Sequence, residues 1–263
     1  MFADEDEARL FARSIGCEWV GRRLRYFESV DSTNSRARRL AELGWPAGTV
    51  VLAEHQTRGR GRLGRRWLCP AGAGILVSVV VPRAQASAGP GALPWVTAAG
   101  ALAMAEAVET TCRTRLLVDW PNDLVLPDPL AGGGFRKLGG VLVETRHGSD
   151  MAVLGVGLNV DVRREEFPPA LRDSAGSVAE YAARRPDRRA ILGAFLPALE
   201  ARLSREAALA AELAERSATV GRDVIVGERK GRAVGFDGAM RLVVEFPGGR
   251  TETLTTRAMG ETA

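Results

Sequence analysis

Blocks of β-branched apolar residues alternate with Ala- and Leu-rich blocks through most of the chain, and short strand-like runs replace both after Ser217. Residues 4–14 open with acidic side chains and carry Leu10 and Phe11, which predicts a short helix stopped by Gly16. Leu24–Val30 reads as a strand. It runs into Asp31-Ser32-Thr33-Asn34, a dense set of capping residues, so Ser35–Leu43 is predicted helical with Gly44 past its end. Capping accounts for one of the two hydroxyls, leaving the other to act as donor and acceptor. Thr49–Glu54 reads as a strand, and GILVSVVV at 74–81 as a buried one. Arg83–Pro94 is a small-residue surface loop. Trp95 to about Thr111 is Ala-rich and free of proline, which predicts a core helix.

Leu116–Asp119 is a predicted strand ending at Trp120-Pro121-Asn122-Asp123, where Asn and Asp favour a turn. Leu124–Leu126 resumes as a strand. A PDPLAGGGF loop then turns the chain back through Arg136-Lys137-Leu138-Gly139-Gly140 into a strand at Val141–Glu144. Met151–Val160 is another strand, with Gly155 and Gly157 allowing close backbone approach. Ser177 and Glu180 have the spacing of a capping box for a helix. Arg188 to about Arg216 reads as helical, bent or divided near Pro197. Past Ser217, Val224–Val226, Arg232–Phe236, Arg241–Phe246 and Thr251–Thr255 are short strands between Gly-containing turns, the pattern of a small all-β barrel. The expected division is 1–216 and 217–263.

Composition narrows the picture. The 263 residues are 46% hydrophobic and 26% charged, ordinary for a globular protein. A net charge of +4 is too mild to argue for nucleic acid. The only lysines are Lys137 and Lys230, against 34 arginines. A lysine surviving that bias marks a place where arginine would not serve, and this singles out Lys137. Cys17, Cys69 and Cys112 are widely spaced, odd in number and without a CxxC, which argues against a disulfide framework or zinc site and fits a reducing cytosol. The start of the chain has no signal-peptide core, and no apolar run reaches membrane-spanning length.

The densest chemistry lies in EHQTRGRGRLGRRW at 54–67. Gly59, Gly61 and Gly64 free the backbone to turn its N–H groups toward an anion. Arg58, Arg60, Arg62, Arg65 and Arg66 add forked donors for phosphate or carboxylate. Trp67 adds a flat apolar wall with one donor. The stretch suits a ligand that is part anion and part flat ring, and it equally suits a solvated basic loop or an RNA-touching tract.

Five motifs in fixed order decide between these. DSTN, QTRGRGRLGRRW, WPND, RKLGGVLVE and GVGLN together resemble biotin–protein ligases over about residues 24–161. The resemblance implies an α+β fold: a mixed β-sheet flanked by helices, class II synthetase-like, followed by a small SH3-like barrel. It implies ATP- and Mg²⁺-dependent activation of biotin to biotinyl-5′-adenylate. Transfer to one lysine of the biotin carboxyl carrier domain of an acyl-CoA carboxylase would follow. By resemblance, Lys137, Arg60 and Arg62 are catalytic. Ser32, Thr33, Gln56, Gly59, Arg60, Gly140 and Gly157 face biotin. Arg62, Trp67, Asn122, Asp123, Lys137 and Asn159 face the nucleotide, and Asp123 is the candidate metal ligand. A compact ammonium at Lys137 fits between the reacting carboxylate and phosphate oxygens where a planar guanidinium does not.

Two positions depart from the family pattern. Asp119 stands before Trp120 where a lysine is usual, and is expected to point away from the site or to be paired by an arginine such as Arg65 or Arg66. Leu63 replaces an arginine at what is expected to be a surface position of the loop. With only about 23 residues before the homology, a form lacking the DNA-binding module of some bacterial relatives is expected, with no DNA or membrane partner and a cytoplasmic place. Either a monomer or a homodimer fits. Three alternatives stay open: a lipoate or octanoate ligase of the same superfold, an RNA-binding module, and a homologue that binds biotin or biotinyl-adenylate with weak or no transfer.

Overall fold

The computed structural model describes residues 1–82, 92–128, 134–146, 149–204 and 209–255. Residues 83–91 of the surface loop expected at 83–94, the loop segment 129–133, residues 147–148, residues 205–208 of the long predicted helix and residues 256–263 lie outside the described residues, while residues 92–94 belong not to a loop but to the start of a helix.

A seven-stranded sheet forms the centre. Its strands are β1 (Leu24–Val30), β2 (Val50–Gln56), β3 (Gly74–Pro82), β4 (Leu117–Asp119), β5 (Asp123–Asp128), β6 (Gly134–Thr145) and β7 (Met151–Asn159), in the order β1-β2-β3-β7-β6-β5-β4. β1 and β2 run parallel and every other neighbouring pair antiparallel, so the sheet is mixed. Alternate residues of the apolar runs serve opposite faces. Val50, Leu52, Val77 and Val79 pack with α1 (Glu5–Ser14), α3 (Ala92–Cys112) and α4 (Arg188–Leu203). Val51, Val80 and Val153 pack instead against Ala37 and Leu40 of α2 (Thr33–Glu42). Helices therefore flank both faces, and the uninterrupted run in β3 is explained: it is buried on both sides.

Three local expectations are corrected. The strand expected at Val141–Glu144 starts earlier, at Gly134, so Arg136–Gly140 is not its lead-in but the interior of β6, paired with β5 on one side and with β7 further along. Lys137 also exchanges backbone hydrogen bonds with Ser174 and Gly176, so the strand's polar backbone is satisfied without turning. Pro197 does not divide its helix. It lies inside α4, where burial of Phe195, Leu196 and Leu199 outweighs the one lost backbone bond. The described helix ends at Leu203 and a second, α5, covers Leu209–Glu215. The Ser177–Glu180 pair starts no α-helix, because Ser177 Oγ is taken by Val162 N–H at 2.9 Å and only a single 3₁₀ turn, Val178–Glu180, follows.

The C-terminal strands β8 (Asp223–Val226), β9 (Arg229–Phe236), β10 (Leu242–Glu245) and β11 (Thr251–Leu254) form a separate four-stranded antiparallel sheet. Its small core of Ala233, Leu242, Val244, Phe246 and Leu254 is completed by Trp120 from the large sheet, whose indole N–H donates to Met240 C=O at 3.2 Å. Backbone bonds between Val118 and residues 216 and 218 stitch the two sheets together. Among the described residues no helix is long and apolar enough to cross a membrane.

Candidate functional site

A cavity of about 510 Å³ opens where the C-terminal ends of β1 and β2, the middle of β6 and β7 and the β4–β5 turn converge. Its lid is the Gly–Arg stretch, folded as a miniature hairpin. Arg60 pairs with Arg66, Gly61 N–H donates to Arg65 C=O at 2.7 Å, and Trp67 N–H donates to Gly59 C=O at 3.0 Å. At its tip Leu63 sits in the left-handed region at φ 56° and is 68% exposed, a surface position as expected.

Gly59 does not line the cavity. It lies under the hairpin, where a Cβ would meet Trp67 C=O at 2.4 Å, so glycine is required for the strands of the hairpin to close. The glycines of β7 serve side chains. Gly157 makes room for the Trp67 indole, which an added Cβ would approach to 2.6 Å, and Gly155 makes room for the Asn34 amide. Trp67 is thus a wall of the cavity, half-buried across β7.

At one end the wall is a closed hydrogen-bond network. Gln56 Oε1 accepts from Thr33 N–H at 2.7 Å and from Thr33 Oγ1 at 3.0 Å. Ser78 Oγ lies 2.8 Å from Thr33 Oγ1 and 2.6 Å from Asn34 Oδ1. Asn34 Nδ2 donates to Glu144 Oε2 at 2.7 Å, and Glu144 holds the Arg60 guanidinium at 2.8 Å. Ser32 occupies the N-cap position of α2 but its side chain makes no capping bond; it is buried and lines the cavity. Asn34, Ser35, Ser78 and Glu144 were not singled out from the sequence for this role. Ser78 carried a signal: it is the one polar residue inside GILVSVVV.

At the other end the groups are charged. Lys137 Nζ pairs with Asp123 Oδ1 at 2.7 Å, each side chain part-exposed to the cavity. Arg62 reaches across from the hairpin to donate to Asn122 Oδ1 at 3.0 Å, and Asn122 is held in turn by Val141 C=O. Burial lowers the pKa of Arg62 from its ordinary value, opposed by Asp123. Gly140 faces this pair, with a Cβ position 3.3 Å from Asp123 Oδ1. Asn159 Nδ2 donates to Gly176 C=O, while its buried Oδ1 and the buried Trp67 Nε1 have no partner among the described residues. The protein therefore leaves one buried donor and one buried acceptor beside the cavity unsatisfied. Phe167, Leu171 and Ser174, from a segment the sequence did not mark, complete this end.

Asp119 points away from the cavity. Its Oδ1 accepts from Thr219 Oγ1 at 2.7 Å, at the root of the C-terminal sheet, and the charge nearby comes from Arg222 and Lys137 rather than Arg65 or Arg66. Arg136 is likewise structural, buried and paired with Asp128 at 2.6 Å. No group of three or more His, Cys, Asp or Glu among the described residues is placed to hold a metal ion.

The arrangement can bring two anions together over Lys137 and Arg62 while a polar, ring-sized ligand sits at the Gln56 end. A family model described as the Biotin/lipoate A/B protein ligase family matches residues 26–161. The Mycobacterium tuberculosis biotin–[acetyl-CoA-carboxylase] ligase is 35% identical over 94% of this chain and 91% of its own length. The bifunctional ligase/repressor BirA of Bacillus subtilis is 29% identical, and the match spans only 55% of that longer protein. A biotin protein ligase from Aquifex aeolicus, solved with biotin and ATP, superposes with a TM-score of 0.75 at 24% identity, over 90% of this chain and 97% of that one.

Proposed function

The chain belongs to the biotin/lipoate A/B protein ligase family, and we propose that it is a biotin–[biotin carboxyl carrier protein] ligase. It activates biotin with ATP and passes the biotinyl group to a lysine of a carboxylase carrier domain. The observation that carries this reading is the convergence of the Gly–Arg hairpin, the β4–β5 turn and β6 on the Lys137–Asp123 pair.

In the first step a biotin carboxylate oxygen attacks the α-phosphorus of ATP, and the bond to pyrophosphate breaks. The barrier is the approach of two anions, which preorganised cations in a sheltered cleft lower. Lys137 supplies the point charge between the reacting oxygens and Arg62 the charge above them. Ser32, Thr33 and Gln56, with Arg60 beside them, hold the ureido ring, and Gly140, next to the Lys137–Asp123 pair, leaves room for biotin's carboxylate end. Trp67, Asn122 and Asn159 hold the nucleotide, the unpartnered Trp67 N–H and Asn159 Oδ1 suiting a ring that carries both an acceptor and a donor. In the second step the carrier's lysine amine attacks the acyl carbon, AMP leaves, and the amine's proton is lost.

One carboxylate, Asp123, faces the phosphate side, which fits Mg²⁺ carried mainly by ATP oxygens rather than by a protein cage. Such an ion would spread the charge of the leaving pyrophosphate. Residues 217–263 are read as an SH3-like companion to a catalytic unit at 1–216.

Biotin-dependent exchange of labelled pyrophosphate into ATP tests the reading, with lipoate and octanoate as controls. Exchange with biotin alone supports it. Exchange with a lipoyl or octanoyl acid instead moves the chain to the other branch of the family. Biotin binding without exchange leaves a binding-only homologue.

A further inference from the structure

We propose that Glu144 is the positioning residue that clamps the Gly–Arg hairpin over the cavity; this rests on the ligase reading for its consequence but not for its geometry. Glu144 lies on β6 and does not line the cavity. Its carboxylate accepts from Arg60 Nη2 through both oxygens, at 2.8 and 3.1 Å, and from Asn34 Nδ2 at 2.7 Å. Arg60 Nη1 donates to Ser35 Oγ at 2.8 Å. All the distal contacts of Arg60 thus go to the sheet and to α2.

Arg60 is also the base of the hairpin, where it pairs with Arg66. Fixing Arg60 fixes where the hairpin leaves the sheet, and so where Arg62 lands at the far side of the cavity beside Asn122. The carboxylate has a second duty. Through Asn34 it is joined to Ser78, Thr33 and Gln56, so the ring-holding wall and the lid share one anchor. Sequence reading assigns Arg60 to the ligands; the structure assigns its guanidinium first to Glu144.

The test compares the full-length protein with Glu144→Ala, Glu144→Gln and Arg60→Ala. The hairpin contains its own trypsin sites at arginines 58–66, so cleavage there without any substrate reports on the clamp directly. Glu144→Ala should be cut about tenfold faster there, and its KM for biotin in pyrophosphate exchange should rise about tenfold while kcat changes less, as loss of one charged hydrogen-bonded pair predicts. Glu144→Gln keeps an acceptor for Asn34 and Arg60 and should recover most of both effects. Arg60→Ala breaks the same pair from the loop side, leaving the strand untouched, and the double variant should be no worse than the worse single one.

Cleavage of Glu144→Ala and Arg60→Ala at the parental rate would overturn the proposal. So would additive effects in the double variant, or a glutamine no better than alanine. If Glu144→Ala melts far below the parent, the Arg60→Ala and Glu144→Gln comparison carries the test. Failure of the parent itself to exchange pyrophosphate would sink the ligase reading and leave proteolysis to judge the clamp.

Discussion

The two ends of the cavity are built on opposite principles. At one end Thr33, Ser78 and Asn34 are buried, Gln56 is half-buried, and their polar groups bond to one another. Around Lys137 the side chains are charged and part-exposed, and buried polar atoms of Trp67 and Asn159 have no partner among the described residues. A satisfied network is rigid and specific, and damage to it registers first as lost stability. A site with unpartnered donors and acceptors keeps its binding capacity for a ligand, and damage to it registers as lost function with little loss of stability. The Gln56 end is therefore part of the fold, and the Lys137 end is only supported by it.

The sharpest way to break this contrast is Lys137→Ala. Adenylate formation should fall about 10²–10³-fold, in line with the loss of one preorganised charge, while the melting temperature stays close to the parent's. A strong drop in melting temperature would show that the reaction end also holds the fold together. Ser78→Ala probes the opposite end. It strands Thr33 and Asn34 beneath a buried strand and should cost about 1–3 kcal/mol in urea unfolding, with any weakening of biotin binding following from that. A fully stable Ser78→Ala protein would erase the distinction.

Trp67→Phe sharpens the comparison at smaller scale. It removes an N–H that no protein group uses, so ATP affinity by calorimetry should weaken about fivefold to tenfold and stability should not move.

The smallest effect belongs to Asp119, behind the reaction end. Burial raises its carboxyl above the ordinary value, Thr219 opposes this, and Asp123 adds to it. The folded protein thus holds that proton more tightly than the unfolded chain. The stabilisation from this group is fully present below the ordinary carboxylate range and is lost as pH rises through the raised folded-state value. Asp119→Asn keeps an acceptor for Thr219 and removes the titration. Its melting temperature should exceed the parent's at neutral pH, and the gain should shrink on acidification. A gain that is independent of pH would point to some other cause.

The strands and helices of the large sheet were legible because their signals are local. GILVSVVV is too apolar to be anything but buried, and the capping run at Asp31–Asn34 marks a helix start whichever hydroxyl does the work. The members of the cavity were legible as motifs, and almost all of those named from the sequence line it. Where local reasoning failed, a distant partner had intervened. Arg136–Gly140 reads as a lead-in to the strand at Val141 until Ser174, Gly176 and two neighbouring strands claim its backbone. Pro197 looks like a break until α4 packs against the core.

The sequence by itself determined which residue types are available: a lysine at 137 suited to sit between two anions, glycines that let a basic loop fold tightly, and a tryptophan to wall it. Only the tertiary structure decided how they are divided. Arg60 is committed to Glu144 and Arg62 to Asn122; Asp119 is turned toward Thr219, and Trp120 fills the second sheet's core. Those pairings join residues far apart in the chain. A sequence encodes local preference strongly, but the contest of one charge for several distant partners is settled only when burial brings them into reach.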